Sequence, residues 1–332
     1  MKPSQNFKNP INLPKTLRRE IGFLEAITVV IGMVIGSGIF FKPSIVFRNA
    51  GSPMIGILAW VAGGVITIAS SLTIAEIAAA IPKTGGVFVY LKELYGEKCA
   101  FLFGWVQTVI YVPGSVAALA IVLATQATNF VPMSGIQQKL FAILMLLIIT
   151  TANILSTKLA SKIQFIATIA KLIPIFIIIA LGLIKGTAHS FSMPTGSTGA
   201  GAGFGAAVLG TLWAYDGWVS VSNMGGELKN PKKDIPRSII VGLTITIIVY
   251  VLFNLAIINV IPMAAVISSS TVASDVASVL LGKSGSLFIS AGIFISIFGA
   301  LNGYLMTGVR IPFAMGQDKR SEERRVGKEC ME

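Results

Sequence analysis

Two long apolar stretches of this chain are interrupted partway by residues that do not hold a regular helix: Val34-Ile35-Gly36-Ser37-Gly38-Ile39-Phe40 and, far downstream, Trp213-Ala214-Tyr215-Asp216-Gly217-Trp218. Backbone N–H and C=O groups that leave the helical ladder inside hydrocarbon find no water, so such a break survives only when buried in protein or lining a cavity. Short or Gly-interrupted hydrophobic segments at corresponding positions of two halves point to a solute-binding site between them.

With 54% of residues hydrophobic and 12% charged, and a mean hydropathy of +0.81, the chain reads as an all-α polytopic membrane protein. Runs of about 20 apolar residues mark spans, here eight: 23–46, 54–80, 99–128, 138–155, 163–184, 204–224, 238–260 and 286–310. Segments such as Phe141–Ile149 are apolar on every face, which argues against the alternating strands of a barrel.

The net charge of +12 would suit a nucleic-acid partner, but its placement argues for orientation instead. Lys2, Lys8, Lys15, Arg18, Arg19, Lys83, Lys92, Lys98, Lys158, Lys162, Lys229, Lys232, Lys233, Arg237 and Arg310 fall on the side of the N-terminus, against Lys42, Arg48, Lys139, Lys185 and Lys283 on the other. That asymmetry places both termini in the cytoplasm and makes the lipid bilayer the partner, with no nucleic acid. The first span lacks a small-residue cleavage site, so no removable signal peptide is expected. Cys99 and Cys330 frame no disulfide network, and His189 alone builds no metal cluster, so no metal and no cofactor are expected. Gly201-Ala-Gly-Phe-Gly205 lacks the strand and the Gly-Lys-Ser/Thr of a nucleotide loop, and Gly36-Ser-Gly38 lacks the strand and the His of a serine nucleophile, so the chain is not expected to be an enzyme.

The Gly-, Ser- and Thr-rich stretch 186–203 divides the chain. The expected organisation is a cytoplasmic segment 1–22, a first repeat 23–185 of five spans, an extracellular linker 186–203, a partial second repeat 204–311 of three spans, and a cytoplasmic tail 312–332. Five spans before the linker make corresponding helices of the two halves run in opposite directions, the geometry of an inverted repeat. The charged run 320–332 reads either as a solvated tail or as sequence foreign to the native protein, since three spans do not mirror five.

At the first break, Gly36 and Gly38 tolerate unwound backbone and Ser37 competes for local hydrogen bonds. Free amides of the following half-helix suit a carboxylate. The free carbonyls near Val34 and Ile35 suit an ammonium, so together the two ends match the backbone of an α-amino acid; close helix packing is the plainer reading of the same small residues. At the second break Gly217 permits the turn, Trp213, Tyr215 and Trp218 can wall a side-chain pocket, and Asp216 either caps the next half-helix or meets the solute. Lys171, deep in the fifth span, needs carbonyls or a carboxylate and could stand where a coupling cation would. Glu25 and Glu76 are weaker candidates.

Five motifs in order carry a family likeness: Gly36-Ser-Gly-Ile-Phe40; Pro82-Lys-Thr-Gly-Gly86 with Tyr90 and Leu94-Tyr-Gly96; Tyr215-Asp-Gly-Trp218; Gly226-Glu-Leu-Lys-Asn-Pro-Lys-Lys-Asp-Ile-Pro-Arg237; and Asn302-Gly-Tyr304 with Arg310-Ile-Pro-Phe-Ala314. From about residue 17 to 319 the chain resembles the amino acid, polyamine and organocation (APC) superfamily, within it the L-amino-acid transporter (LAT) family and its bacterial serine/threonine exchangers. The resemblance implies the leucine-transporter fold of five plus five inverted helices, here incomplete after the eighth. It implies an L-amino acid held at Val34, Ile35, Gly36, Ser37 and Gly38 and at Trp213, Ala214, Tyr215, Asp216 and Gly217. It also implies that Lys171 replaces a sodium ion, that transport is sodium-independent exchange by alternating access at the plasma membrane, and that no accessory subunit is expected. Proton-coupled symport, a non-transporting sensor and an inactive fragment are the alternatives. Val219 stands where animal members carry Asn after the Gly-Trp pair, which argues against large neutral side chains as the preferred cargo.

Overall fold

The computed structural model describes residues 19–188 and 203–317. Most of the linker, His189, Cys330 and the run 320–332 lie outside them. Among the described residues the chain is helical, with two isolated bridges and no extended strand. The first span is α1 (Phe23–Val34), an unwound turn, and α2 (Gly38–Phe41), after which α3 (Pro43–Ala50) follows. Next come α4 (Pro53–Ala80), α5 (Val87–Tyr95), α6 (Glu97–Val106), a π-helical segment (Gln107–Tyr111), α7 (Val112–Ala127), α8 (Gly135–Leu155) and α9 (Thr157–Lys185). The second half holds α10 (Phe204–Ala214), a 3-10 turn (Trp218–Asn223), α11 (Pro231–Val260), the short α12 (Met263–Ser268) and α13 (Val272–Leu281), then α14 (Lys283–Gly308) and α15 (Arg310–Gln317). Among the described residues, seven segments are long and apolar enough to cross a membrane. The expected span 204–224 is broken within the interruption read from the sequence, splitting at Tyr215–Gly217 into α10 and the 3-10 turn.

Local chemistry sets the boundaries. Pro43, Pro53 and Pro231 sit in first turns, where the missing N–H costs nothing. Ser134 and Gln137 cap α8 reciprocally, with the Ser134 N–H donating to Gln137 Oε1 at 2.7 Å. Pro113 follows the π segment; its absent N–H removes one rung of the ladder where the helix widens.

Two groups of helices result. In one, α11 lies along α4 and α1, and α10 lies along α4; in the other, α14 lies along α9 and α7, with α7 on α8. The groups meet where α1 and α11 touch α9 and α1 touches α14. Thr168 of α9 crosses this seam, donating to the Thr28 carbonyl of α1 at 3.1 Å, and within the second group Asn302 donates to Gln164 Oε1 at 2.9 Å and Asn153 donates to Asn302 Oδ1 at 3.0 Å.

At the end carrying the start of α1, the last residue of the 3-10 turn and the stretch after it are clamped three ways. The Ile21 N–H donates to the Glu227 carbonyl at 3.0 Å, the Gly85 N–H donates to the Asn223 carbonyl at 3.0 Å, and Arg310 grips the Glu227 carboxylate through Nε (2.7 Å) and Nη2 (2.9 Å). Residues from 312 read as tail in the sequence. Here α15 continues to Gln317 and buries Ile311, Ala314 and Met315 against Phe88 and Ala100, the spacing of a helix with one apolar face.

Glu227 is 3% exposed and Arg310 8%. Removing one member of a buried pair leaves an uncompensated charge at a cost of about 3–5 kcal/mol. Glu227→Ala is therefore expected to lower the thermal unfolding midpoint of purified protein markedly, and Glu227→Ala/Arg310→Met is expected to recover part of that loss.

Candidate functional site

The two breaks lie side by side. Past Val34 the first helix turns tightly, with the Gly36 N–H donating to the Val34 carbonyl at 2.8 Å, before α2 restarts it. The second break turns at Gly217, whose φ of +108° is left-handed backbone that a side chain disfavours. Each break needs a glycine against the other. A Cβ on Gly38 would stand 2.9 Å from Cα and Cβ of Ala214, and one on Gly217 would stand 3.1 Å from Cβ of Met33.

Three side chains from other helices take up the carbonyls that unwinding releases. Lys171 of α9, 0% exposed, donates to the carbonyls of Gly32 (2.6 Å) and Ile35. Ser296 of α14 reaches the carbonyls of Ile35 and Gly36, both at 3.0 Å. Tyr250 of α11 reaches the carbonyls of Val34 and Ala214, both at 2.8 Å, so one phenol bridges the ends of both broken helices. A hydroxyl carries one proton, so Tyr250 donates to one of its two carbonyls at a time. The N–H groups of Ser37 and Gly38 have no acceptor, and the Met33 carbonyl no donor, among the described residues.

Beside the breaks lies a cavity of about 420 Å³, walled by Val34, Gly36, Ser37, Gly38, Trp213, Ala214 and Asp216, with Tyr111 and Ser115 across from them. Trp213 is exposed, and Lys42 Nζ sits 4.2 Å from its ring centre. Three sequence candidates stand elsewhere. Ile35 is fully buried, its carbonyl turned to Lys171 and Ser296. Tyr215 is also fully buried, its hydroxyl donating to the Trp60 carbonyl at 3.0 Å and its ring 4.9 Å from that of Tyr250. Gly217 borders a second cavity of about 250 Å³. Asp216 does not cap the following turn; its Oδ2 accepts from Tyr111 (2.7 Å) and Tyr304 (3.3 Å). Glu25 accepts from the Gly22 N–H at 3.1 Å at the start of α1, and Glu76 is exposed on α4; neither lines the cavity.

Sequence reasoning assigned no role to Tyr111, Tyr250, Ser296 or Tyr304. Each is a polar group inside an apolar span, the signal that could have found them, and Tyr111 precedes the Pro113-Gly114 pair that disturbs its helix.

Two broken helices meeting over a cavity inside a bundle of apolar spans define a multi-pass membrane protein with a transporter-type centre. Residues 21–322 match the family model for amino acid permeases, and the chain belongs to that family, within the APC superfamily. It is 42% identical over 305 residues to the serine/threonine exchanger SteT of Bacillus subtilis, covering 92% of this chain and 69% of that protein. It is 32% identical over 315 residues to the mouse b(0,+)-type amino acid transporter 1 (91% of this chain, 64% of the relative). It is 31% identical over 319 residues to the human large neutral amino acids transporter small subunit 2 (90% and 58%). The chain thus spans less than two thirds of the length of these two mammalian relatives. The family's members are transporters, not enzymes.

Tyr250→Phe keeps the ring contacts and deletes the bridging proton. Unpaired carbonyls in a membrane interior should make this cost about 1–2 kcal/mol, read as a lower thermal unfolding midpoint. Tyr215→Phe, whose partner carbonyl lies within α4, is expected to cost less.

Proposed function

We propose that this protein exchanges small neutral L-amino acids across the plasma membrane by alternating access, without sodium, without an accessory subunit and with both termini in the cytoplasm. The observation that carries the reading is the Lys171 ammonium between the Gly32 and Ile35 carbonyls, beside the breaks. Those carbonyls are the oxygen ligands a coupling cation would need, and a fixed positive charge already holds them. The substrate carboxylate is received by the free N–H groups of Ser37 and Gly38. Its ammonium goes to the Met33 carbonyl rather than that of Val34, which Tyr250 occupies. The side chain faces Trp213 and Asp216 across the cavity. The name of the Bacillus relative, a serine/threonine exchanger, supports serine and threonine as first solutes to test.

Radiolabelled L-serine should enter proteoliposomes preloaded with threonine, equally in sodium-containing and sodium-free buffer, and not enter empty ones. Lys171→Ala is expected to abolish this counterflow. Uptake that requires a proton gradient instead of internal amino acid would replace exchange with proton symport; serine binding without counterflow would make the chain a sensor. Gly38→Ala, by pushing the breaks apart against Ala214, is expected to weaken serine binding measured by calorimetry while the protein still purifies as a single species.

A further inference from the structure

The cavity at the breaks and the second cavity of about 250 Å³ share three lining residues, Tyr111, Asp216 and Tyr304. Those three are hydrogen-bonded to one another. Both phenols donate to the same carboxylate oxygen, at 2.7 and 3.3 Å, and the two ring centres lie 6.4 Å apart with the ring planes tilted by 53°. Asp216 and Tyr111 are exposed, and the surface they present is cavity wall on either side. Beyond this partition the second cavity runs past Gln107, Ser220, Asn223 and Thr307 toward the end where Glu227 and Arg310 pair. Val87, Phe103, Val112, Val219 and Ile311 share its wall with these polar groups, which offer hydrogen-bond partners to a zwitterion.

The three residues come from three separate elements. Asp216 sits in the second break, Tyr111 is the last residue of the π segment, and Tyr304 belongs to α14. Both π segments and broken helices concentrate at functional sites, because each admits a second arrangement of the same chain at small cost. A relative shift of the two helix groups changes the distances among the three side chains directly: α10 packs with the group of α4 and α11, while α7 and α14 lie in the other.

We propose that Tyr111, Asp216 and Tyr304 form a hydrogen-bonded septum dividing the permeation route into two chambers, and that its opening passes the amino acid from the cavity at the breaks into the second chamber. A carboxylate accepting from two phenols is a charge-assisted lock. Opening it strips Asp216 of its donors, and the polar groups of the passing solute and its water replace them. The identity of the solute rests on the transport reading above, but the septum rests on geometry.

The test is chemical and needs no transport. In a background of Cys99→Ser and Cys330→Ser, Ser115→Cys reports on the first chamber and Ser220→Cys on the second. A charged, membrane-impermeant thiol reagent is applied to one face at a time of sealed vesicles of fixed orientation. With the septum intact, the two cysteines are expected to react from opposite faces. Tyr111→Phe/Tyr304→Phe should let each react from both faces, raising the rate from the protected side about tenfold, the population shift that lost hydrogen bonds of this kind produce. Each single Phe substitution should give a smaller rise, which preserves the test if the double variant fails to fold. Reaction of the position-220 cysteine from both faces in the unsubstituted septum, or a one-sided pattern that survives the Phe substitutions, overturns the proposal. Because labelling and counterflow are separate readouts, failure of one does not pass for failure of the other.

Discussion

The end of α1 is held by donors that come from outside it. Unwinding releases carbonyls at Gly32, Val34, Ile35 and Gly36, and the ammonium of Lys171, the phenol of Tyr250 and the hydroxyl of Ser296 converge on them from α9, α11 and α14. In hydrocarbon an unpaired carbonyl costs several kcal/mol, so the break exists only because these helices deliver protons to it. The arrangement binds in both directions: a fully buried lysine is itself intolerable without oxygens around it.

This mutual requirement explains why the helix groups sit as they do. Lys171 and Ser296 belong to the group of α7, α8, α9 and α14, and Tyr250 to the group of α4, α10 and α11. The unwound turn of α1 is therefore a stretch of backbone that both groups hold. Glycines permit the approach from the other side, since Gly38 admits Ala214 and Gly217 admits Met33 without side chains between them. A cavity is left over where the two breaks stand apart from α7, walled on one side by residues of the breaks and on the other by Tyr111, Ser115, Leu119 and Tyr304.

Much of this was legible in the sequence because hydrocarbon leaves few options. Apolar runs became helices, Gly-Ser-Gly and Asp-Gly became breaks, and a lysine too deep to snorkel was tied to carbonyls, as its depth required. Less legible was which face each residue of a break would show. Ile35 and Tyr215 lie next to cavity residues in sequence, yet they turn into protein, because an unwound turn lacks the fixed angular period that lets a helix be read. The partner of Asp216 could not be read either. Helix-capping chemistry is local, whereas its actual donors, Tyr111 and Tyr304, lie 105 and 88 residues away in the chain. The packed face of α15 was hidden by its neighbours: the charged residues after Gln317 make that stretch look like tail, although Ile311, Ala314 and Met315 keep helical spacing.

The π segment from Gln107 to Tyr111 has a consequence of its own. A π turn spends one more residue than the α turn it replaces, so the portions of the helix before and after it are out of register by one position. Migration of that extra residue by a turn would rotate the intervening side chains by about 100° around the axis while both helix ends stay where they are. Tyr111 could then leave Asp216 by a twist confined to one turn, a change of angular address that requires no tilt of the helix in the membrane.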